Sequence, residues 1–246
     1  MLNKLCCIAL VLASQSSLVF ATEAADVQPE QPIIQPFTAH YNLIRSADIV
    51  GKAERTLKYL PNNKAEYSYK TDIEWLIFSD ERKETSVVNL VDHKVIPYKY
   101  NFLRSGTGPD KSEHWQYNTA EKLAKNIKEN TEINVDFPIN IQDKLSYHLQ
   151  NRLNLIQHPE QKLFVYPVIS HSGNIKNYVY QYDGEVELML PYGLVKTIRL
   201  KREVIEKKKV TYAWFAPELN YLLVKIQQIK SGVEQFEAQL TAVDTH

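Results

Sequence analysis

The sequence predicts an all-β fold: a large, curved, mainly antiparallel sheet, built as a half-barrel or open barrel of about a dozen strands with one main helix near residues 141–156. Three observations predict this class. Apolar and polar residues alternate with a period of two along most of the chain. Turn-forming Gly, Pro, Asn and Asp residues separate these alternating runs. No strand–helix–strand repetition occurs, which argues against a parallel, doubly wound sheet.

Residues 1–21 have the pattern of a secretory signal peptide. Lys4 gives a short basic start, an apolar run follows, and the run ends in a Val-Phe-Ala cleavage motif at Ala21. A membrane anchor is the alternative, but the polar residues 14–17 interrupt the run before it is long enough to span a bilayer. Cys6 and Cys7 precede the cleavage site, so the mature chain would contain no thiol and no disulfide.

Residues 22–36 follow as a flexible leader, because they are rich in proline and carry no periodic apolar pattern. A single β-rich domain is expected over residues 37–246. The mature chain would carry 28 Lys and Arg residues against 29 Asp and Glu residues, a formal net charge of −1. This balance argues against nucleic acid as a partner.

The first half of the domain has the pattern of strands joined by short turns. Phe37, Ala39, Tyr41 and Leu43 share one face of the first strand, and Gly51 is expected to break the chain before the second strand. The further strands are expected over residues 53–59, 67–75, 83–90, 95–104 and 114–119, and residues 120–137 are expected to form strands with a turn near residues 129–130.

One helix is expected from about Ile141 to Ile156, with Asn140 as its N-cap. Apolar residues spaced by three and four positions form one stripe along it. We hypothesise that the helix plugs the open side of the curved sheet and that hydrogen bonds from Ser146 and Arg152 hold it there. The residues expected to have this structural role are Asp143, Leu145, Ser146, Leu149, Arg152 and Leu153.

The second half returns to strands. They are expected over residues 162–169, 175–182, 185–190, 194–203, 210–215, 222–229 and 233–243. Asp183-Gly184 predicts a hairpin turn between two of them. The basic clusters at residues 201–202 and 207–209 are interpreted as charges at strand ends and turns.

Sequence motifs of common enzyme classes are absent: there is no nucleophile elbow, no zinc-binding helix and no Walker loop. The histidine spacing predicts no metal site, and no cofactor is expected. Asp183, Glu185 and Glu187 share one face of a predicted strand. Such carboxylates can perform acid–base chemistry, although we favour the simpler interpretation that they solvate the outer face of the sheet.

The chain contains 15 tyrosines, most of them on predicted strands. They can be core and half-buried sheet residues, since aromatic residues favour strands. Alternatively, they line a concave face that holds an apolar ligand. The candidate residues of this aromatic surface are Tyr67, Tyr69, Trp75, Tyr98, Tyr100, Trp115, Tyr180 and Trp214.

Several short motifs occur in order between Phe37 and Val243. They are FTAHY at residues 37–41 with Gly51, VIPYKY at 95–100, DKLSYHLQNRL at 143–153, GEVE at 184–187, PYG at 191–193, TYAWFAP at 211–217 and LLVK at 222–225. In this order they resemble the domain of unknown function family 3108 of exported bacterial proteins. The resemblance implies a β-rich protein of a two-membrane envelope, hence the periplasm, and it implies no established activity.

The leading expectation for function is a non-enzymatic periplasmic protein of cell-envelope maintenance that binds a lipid or another apolar ligand, similar in outline to half-barrel lipoprotein carriers. One alternative is an outer-membrane β-barrel, but the last residues do not form the expected aromatic strand. The other is a periplasmic hydrolase or glycan-active enzyme that uses Asp183, Glu185 or Glu187. The expected partner is a lipid or an envelope component, and the oligomeric state stays open.

Overall fold

The computed structural model describes residues 34–75, 77–170 and 172–245, except for the side chain of Trp75. Within these residues, one sheet of 14 strands and one α-helix form the fold. All neighbouring strands pair antiparallel, in the order β8-β7-β6-β5-β4-β3-β2-β1-β14-β13-β12-β11-β10-β9. The sheet does not close on itself, because β8 and β9 remain at its two edges. The predicted all-β, open half-barrel with one helix is therefore confirmed.

The strands follow the sequence closely. Their bounds are β1 Phe37–Arg45, β2 Asp48–Leu60, β3 Lys64–Trp75, β4 Phe78–Val91, β5 Lys94–Gly106, β6 Lys111–Asn118, β7 Leu123–Asn126, β8 Thr131–Asn134, β9 Leu163–Ile169, β10 Ile175–Leu190, β11 Gly193–Val204, β12 Lys209–Ala216, β13 Leu222–Lys230 and β14 Val233–Thr245. The helix α1 is Ser146–Gln157, and short 3-10 turns at Ile205–Lys207 and Pro217–Leu219 connect β11 to β12 and β12 to β13.

Alternation places one face of the strands towards the lumen of the half-barrel. In β1, Phe37, Ala39, Tyr41 and Leu43 are all buried in the main apolar core, as their spacing predicts. Because successive side chains of a strand point to opposite faces, the residues between them lie on the outer face. The lumen is thus built from every second residue of each strand.

The predicted signal peptide at residues 1–21 and the leader up to residue 33 lie outside the described residues. Ile34, the first described residue, is buried in the core next to β1. Its backbone carbonyl accepts a hydrogen bond from the Tyr59 hydroxyl at 2.8 Å. The described fold therefore includes chain that precedes β1.

The helix begins later than its apolar stripe predicts, at Ser146 rather than Ile141. Gln142 instead forms a parallel bridge with Val168 of β9, which holds the backbone before the helix in an extended form. Asn140 is not the N-cap: its φ of 63° is left-handed. Leu145 occupies the N-cap position without a side-chain cap hydrogen bond. The start of the helix is capped instead from two residues earlier, by Asp143, whose carboxylate accepts hydrogen bonds from the backbone N–H groups of Leu145 and Ser146.

The segment that leads into α1 contacts both β9 and β5. Besides the bridge to Val168, the Gln142 side chain donates to the backbone carbonyl of Val95 at 2.8 Å. The Ile133 side chain of β8, at one edge of the sheet, lies against Gly173, in the turn between β9 and β10 near the other edge. These contacts connect the two halves of the open sheet.

The helix closes one end of the half-barrel. Arg152 donates hydrogen bonds to the carbonyls of Asn220 and Leu219, at 2.8 and 3.2 Å, in the connection from β12 to β13. The Gln150 side chain accepts from the backbone N–H of Val95, at the start of β5, at 2.7 Å. In an antiparallel meander, the connections after β4 and β12 lie at one end of the sheet. The turns after β1, β3 and β13 lie at the other end. The second end is therefore free of the helix.

Two turn expectations are wrong. Gly51 does not break the chain: β2 runs through it beside a bulge against β1. A side chain there would press on the Asp72 carbonyl and lie 2.8 Å from the Ile73 Cα, so close strand packing requires glycine. Asp183-Gly184 is not a hairpin either, because β10 continues through both residues with a bulge, where Gly184 has a φ of 99°.

The described part of the chain has no helix with the length and apolar character needed to cross a membrane.

Candidate functional site

Most of the predicted aromatic surface is buried in the structure. Tyr67, Tyr100, Trp115, Tyr180 and Trp214 are each at most 5% exposed. Several also have fixed polar partners: the Tyr100 hydroxyl donates to the Glu84 carboxylate at 2.9 Å, and Arg55 donates to the Tyr67 hydroxyl at 3.0 Å. Because they are so deeply buried, these rings are positioned mainly by packing, and the hydrogen bonds add to it.

The remaining three residues differ in position. Tyr98 is half-buried, and the amino groups of Lys64 and Lys99 lie 4.3 and 5.4 Å from the centre of its ring. Tyr69 is partly buried and lines open space in the lumen. The side chain of Trp75 lies outside the described part of the structure.

A cavity of about 620 Å³ lies next to Tyr69 at the helix-free end of the half-barrel and is called here the mouth cavity. One wall is mainly apolar and comes from β1, β2, β3 and β14. The adjoining wall comes from β4, which pairs with β3, and it carries the charged residues Asp80, Arg82 and Glu84 beside Phe78. The lining residues are Leu43, Ile44, Arg45, Val50, Tyr69, Thr71, Ile73, Phe78, Asp80, Arg82, Glu84, Gln235 and Phe236.

The charged wall of the mouth cavity is held by an ion-pair network. The Asp80 carboxylate accepts from Arg82 at 2.6 Å and from Arg104 at 2.7 Å. The hydrogen bond from Arg82 is the main reason why the pKa of Asp80 is lowered. Asp80 therefore stays ionised and fixes both guanidinium groups at this wall.

A second space of about 260 Å³, called here the inner cavity, lies between the mouth cavity and the helix. The two cavities share Tyr69, Glu84 and Phe236 as lining residues, so they are neighbours in the lumen. Tyr147 and His148 of α1 and the aromatic rings of Tyr178 and Tyr180 border the inner cavity. Its polar lining includes Arg55, Lys144, Arg202 and Lys209.

The inner cavity carries an excess of positive charge. Burial, together with neighbouring Arg202 and two lysines, lowers the pKa of Lys209. Burial and then the nearby Arg55 and Arg202 lower the pKa of His148 well below its usual value, so this histidine is neutral near pH 7. Burial also raises the pKa of Glu84.

A family model described as "Protein of unknown function (DUF3108)" matches residues 63–241. The chain belongs to the DUF3108 family. The match includes most of the strands and the helix that build the lumen, and it confirms the resemblance carried by the ordered motifs.

Solved structures match this DUF3108 protein at low sequence identity. A β-barrel-like protein of domain of unknown function DUF1849 from Brucella abortus is 10% identical, with 87% of this chain and 98% of that chain covered and a TM-score of 0.59. A predicted lipoprotein from Parabacteroides distasonis is 9% identical, with 87% and 97% covered and a TM-score of 0.34.

A predicted exported protein with a YmcC-like fold from Bacteroides fragilis is 9% identical, with 86% of this chain and 96% of that chain covered and a TM-score of 0.33. The Brucella structure supports the β-barrel-like fold alone, since its identity to this chain is low. No curated protein matches the DUF3108 chain.

The predicted structural residues of the helix lie at the boundary between α1 and the sheet. Leu145, Leu149 and Leu153 belong to the main apolar core. Arg152 contacts the connection from β12 to β13, and burial lowers its pKa to about 10. Ser146 accepts from the backbone N–H of Asp143 at 2.9 Å, which completes a reciprocal cap at the start of the helix.

The three carboxylates considered for acid–base chemistry do not line the two cavities. Asp183 forms an ion pair with Arg199 at 2.7 Å. Glu185 and Glu187 are exposed, and Glu187 pairs opposite Lys196 in the sheet. Among the described residues, no group of three or more His, Cys, Asp or Glu side chains has an arrangement that could hold a metal ion.

The charged residues of the inner cavity were not among the predicted site residues. Arg55 nevertheless carries a signal, because it alternates with Ala53 and Leu57 on the inward face of β2. Arg202 likewise shares the face of Leu200, although the sequence suggested a surface cluster. A cation at an inward position of an alternating strand is the pattern that identifies such a site.

Proposed function

We propose that this DUF3108 protein is a non-enzymatic periplasmic protein that holds a lipid or another apolar ligand in its lumen and acts in maintenance of the cell envelope. The observation that carries the proposal is the mouth cavity, whose volume of about 620 Å³ is in the range of small-molecule binding sites. The N-terminal signal-peptide pattern supports export.

The surroundings of the mouth cavity support an apolar ligand. Ile49, Ile77, Phe78 and Val233 lie in or next to the turns at this end and are 56–84% exposed. Exposed apolar groups that cluster around an opening are typical of surfaces that contact apolar ligands or membranes. The rim therefore offers an apolar path from an envelope membrane into the lumen.

Replacing Ile73 with Trp is expected to reduce binding of the fluorescent apolar probe N-phenylnaphthylamine by about tenfold or more. Ile73 lines the mouth cavity, and the larger indole would occupy space that the probe needs. A loss of about 1.4 kcal/mol of binding free energy gives a tenfold change in affinity. Fluorescence titration of the purified chain measures the effect.

The matched control for Ile73→Trp is Glu74→Trp, because Glu74 is exposed on the opposite face of the same strand. This variant is expected to bind the probe as the unchanged protein does. Equal affinity of Ile73→Trp and Glu74→Trp, with both variants folded, would show that the probe does not enter the mouth cavity.

A further inference from the structure

Three cations from separate strands converge on the inner cavity: Arg55 of β2, Arg202 of β11 and Lys209 of β12. Glu84 is the one carboxylate among the described lining residues, and it already accepts a hydrogen bond from Tyr100. The fourth lining cation, Lys144, is paired with Glu113 at 2.9 Å. The remaining three cations have no ion pair among the described residues, so their charge is not balanced within the lumen.

Arg55 provides an independent sign of a missing partner. Its side chain is 4% exposed, and its guanidinium carbon lies 4.9 Å from the centre of the Tyr69 ring. One guanidinium nitrogen donates to the Tyr67 hydroxyl, but the buried Nε–H has no hydrogen-bond acceptor among the described residues. Since buried charged groups are normally paired, this group is suited to bind an anion that enters the cavity.

Arg202 and Lys209 are accessible to such an anion. Both are half-buried on the inward faces of paired strands. The guanidinium carbon of Arg202 lies 3.6 Å from the centre of the Tyr178 ring, which restrains its position beside the cavity. Guanidinium groups bind carboxylates and phosphates through paired hydrogen bonds.

The apolar lining of the mouth cavity lies next to this charged site, because the two cavities share lining residues. Arg55 borders the inner cavity and Val50 borders the mouth cavity, and they lie roughly 17 Å apart along β2 at a rise of about 3.4 Å per residue. Leu43, Ile73 and Phe236 add to the apolar side. One molecule that spans both cavities would thus meet cations at one end and apolar side chains at the other.

We propose that the lumen binds an amphipathic anion, with a carboxylate or phosphate headgroup against Arg55, Arg202 and Lys209 and a hydrocarbon chain in the mouth cavity. This inference rests on the proposed function and specifies the chemical class of its ligand. The negative charge of the headgroup distinguishes this ligand from neutral lipids, which would leave the three cations without a partner.

The test measures displacement of N-phenylnaphthylamine by oleate, oleyl phosphate and oleyl alcohol, which share one chain and differ in headgroup. Inorganic phosphate is tested alone by calorimetry. The unchanged protein is expected to bind both anionic probes at least about tenfold more tightly than the alcohol, since hydrogen bonds to charged groups are the stronger ones.

The double variant Arg202→Gln and Lys209→Gln is expected to lose about tenfold to hundredfold in affinity for oleate and oleyl phosphate and to keep its affinity for oleyl alcohol. Its matched control is Lys196→Gln with Lys201→Gln, which removes the same charge from β11 without changing the lining of the inner cavity. Circular dichroism verifies that both variants fold.

The outcomes separate the two proposals. Equal binding of oleate and oleyl alcohol, or an anion preference that the double variant retains, would overturn the headgroup site while the apolar cavity stands. Binding of inorganic phosphate as tight as that of oleyl phosphate would also overturn the headgroup proposal, because the hydrocarbon chain would then contribute nothing to the affinity. Binding of no probe would overturn the proposed function as well.

Discussion

Replacing Leu149 with Asp is expected to lower the free energy of unfolding by about 2–5 kcal/mol, through the lost apolar burial and the cost of placing a carboxylate in the core. Leu149 is 2% exposed and lies in the middle of α1 within the main apolar core. Because the helix closes one end of the half-barrel, its displacement would also open the inner cavity. Urea unfolding followed by tryptophan fluorescence measures the change.

The control for this substitution is Leu149→Met, which preserves the volume and apolar character of the side chain. It is expected to cost less than about 1.5 kcal/mol. If Leu149→Asp leaves the melting temperature unchanged, the helix is not a structural part of the half-barrel and the account of the fold is wrong.

Asp143→Ala is expected to destabilise the protein by about 2–4 kcal/mol, because it removes a helix cap and leaves buried donors unpaired. Asp143 is fully buried, and its carboxylate accepts hydrogen bonds from the Leu145 and Ser146 backbone and from the Ser86 hydroxyl. Since Ser86 lies on β4, this one side chain both starts the helix and ties it to the sheet. Thermal and urea unfolding measure the loss.

Asp143→Asn separates these contributions. An asparagine can still accept the two backbone hydrogen bonds with its side-chain oxygen, and the Ser86 hydroxyl can rotate to accept from the amide. This variant is therefore expected to cost less than half as much as Asp143→Ala. Equal losses for the two variants would show that the negative charge, and not the cap, is what Asp143 contributes.

Period-two alternation predicted most strands because burial on one face of a strand requires it. The errors occurred where the backbone departs from regular pairing. Gly51 was interpreted as a chain break and Gly184 as part of a hairpin turn, although both lie at bulges inside continuous strands. A bulge and a turn use the same residue types, and only the pairing with neighbouring strands distinguishes them.

The helix start shows a second limit of sequence patterns. An apolar stripe marks which face of a helix is buried, but it does not show where the backbone is needed for other hydrogen bonds. Gln142 is held in a bridge to β9. That contact joins residues that are far apart in the sequence, so the spacing of nearby apolar residues could not predict that the helix starts at Ser146.

The lumen was the hardest feature to foresee. Its inward faces could be read from alternation, and Arg55 was visible among apolar neighbours on β2. The volume that remains between the sheet and the helix depends on how strongly the sheet curves, which residue order alone does not specify. The aromatic residues were a poor guide to that volume, because five of the eight predicted residues are buried.

The central claim is that the lumen holds a small amphipathic or apolar molecule in the cell. Native mass spectrometry tests it most directly, on the protein released from a bacterial envelope without detergent. We expect a population heavier than the bare chain, which solvent extraction reduces to the chain mass with release of an acidic lipid-like molecule. Only bare chain from the envelope, with no uptake of added oleate or oleyl alcohol, would contradict it.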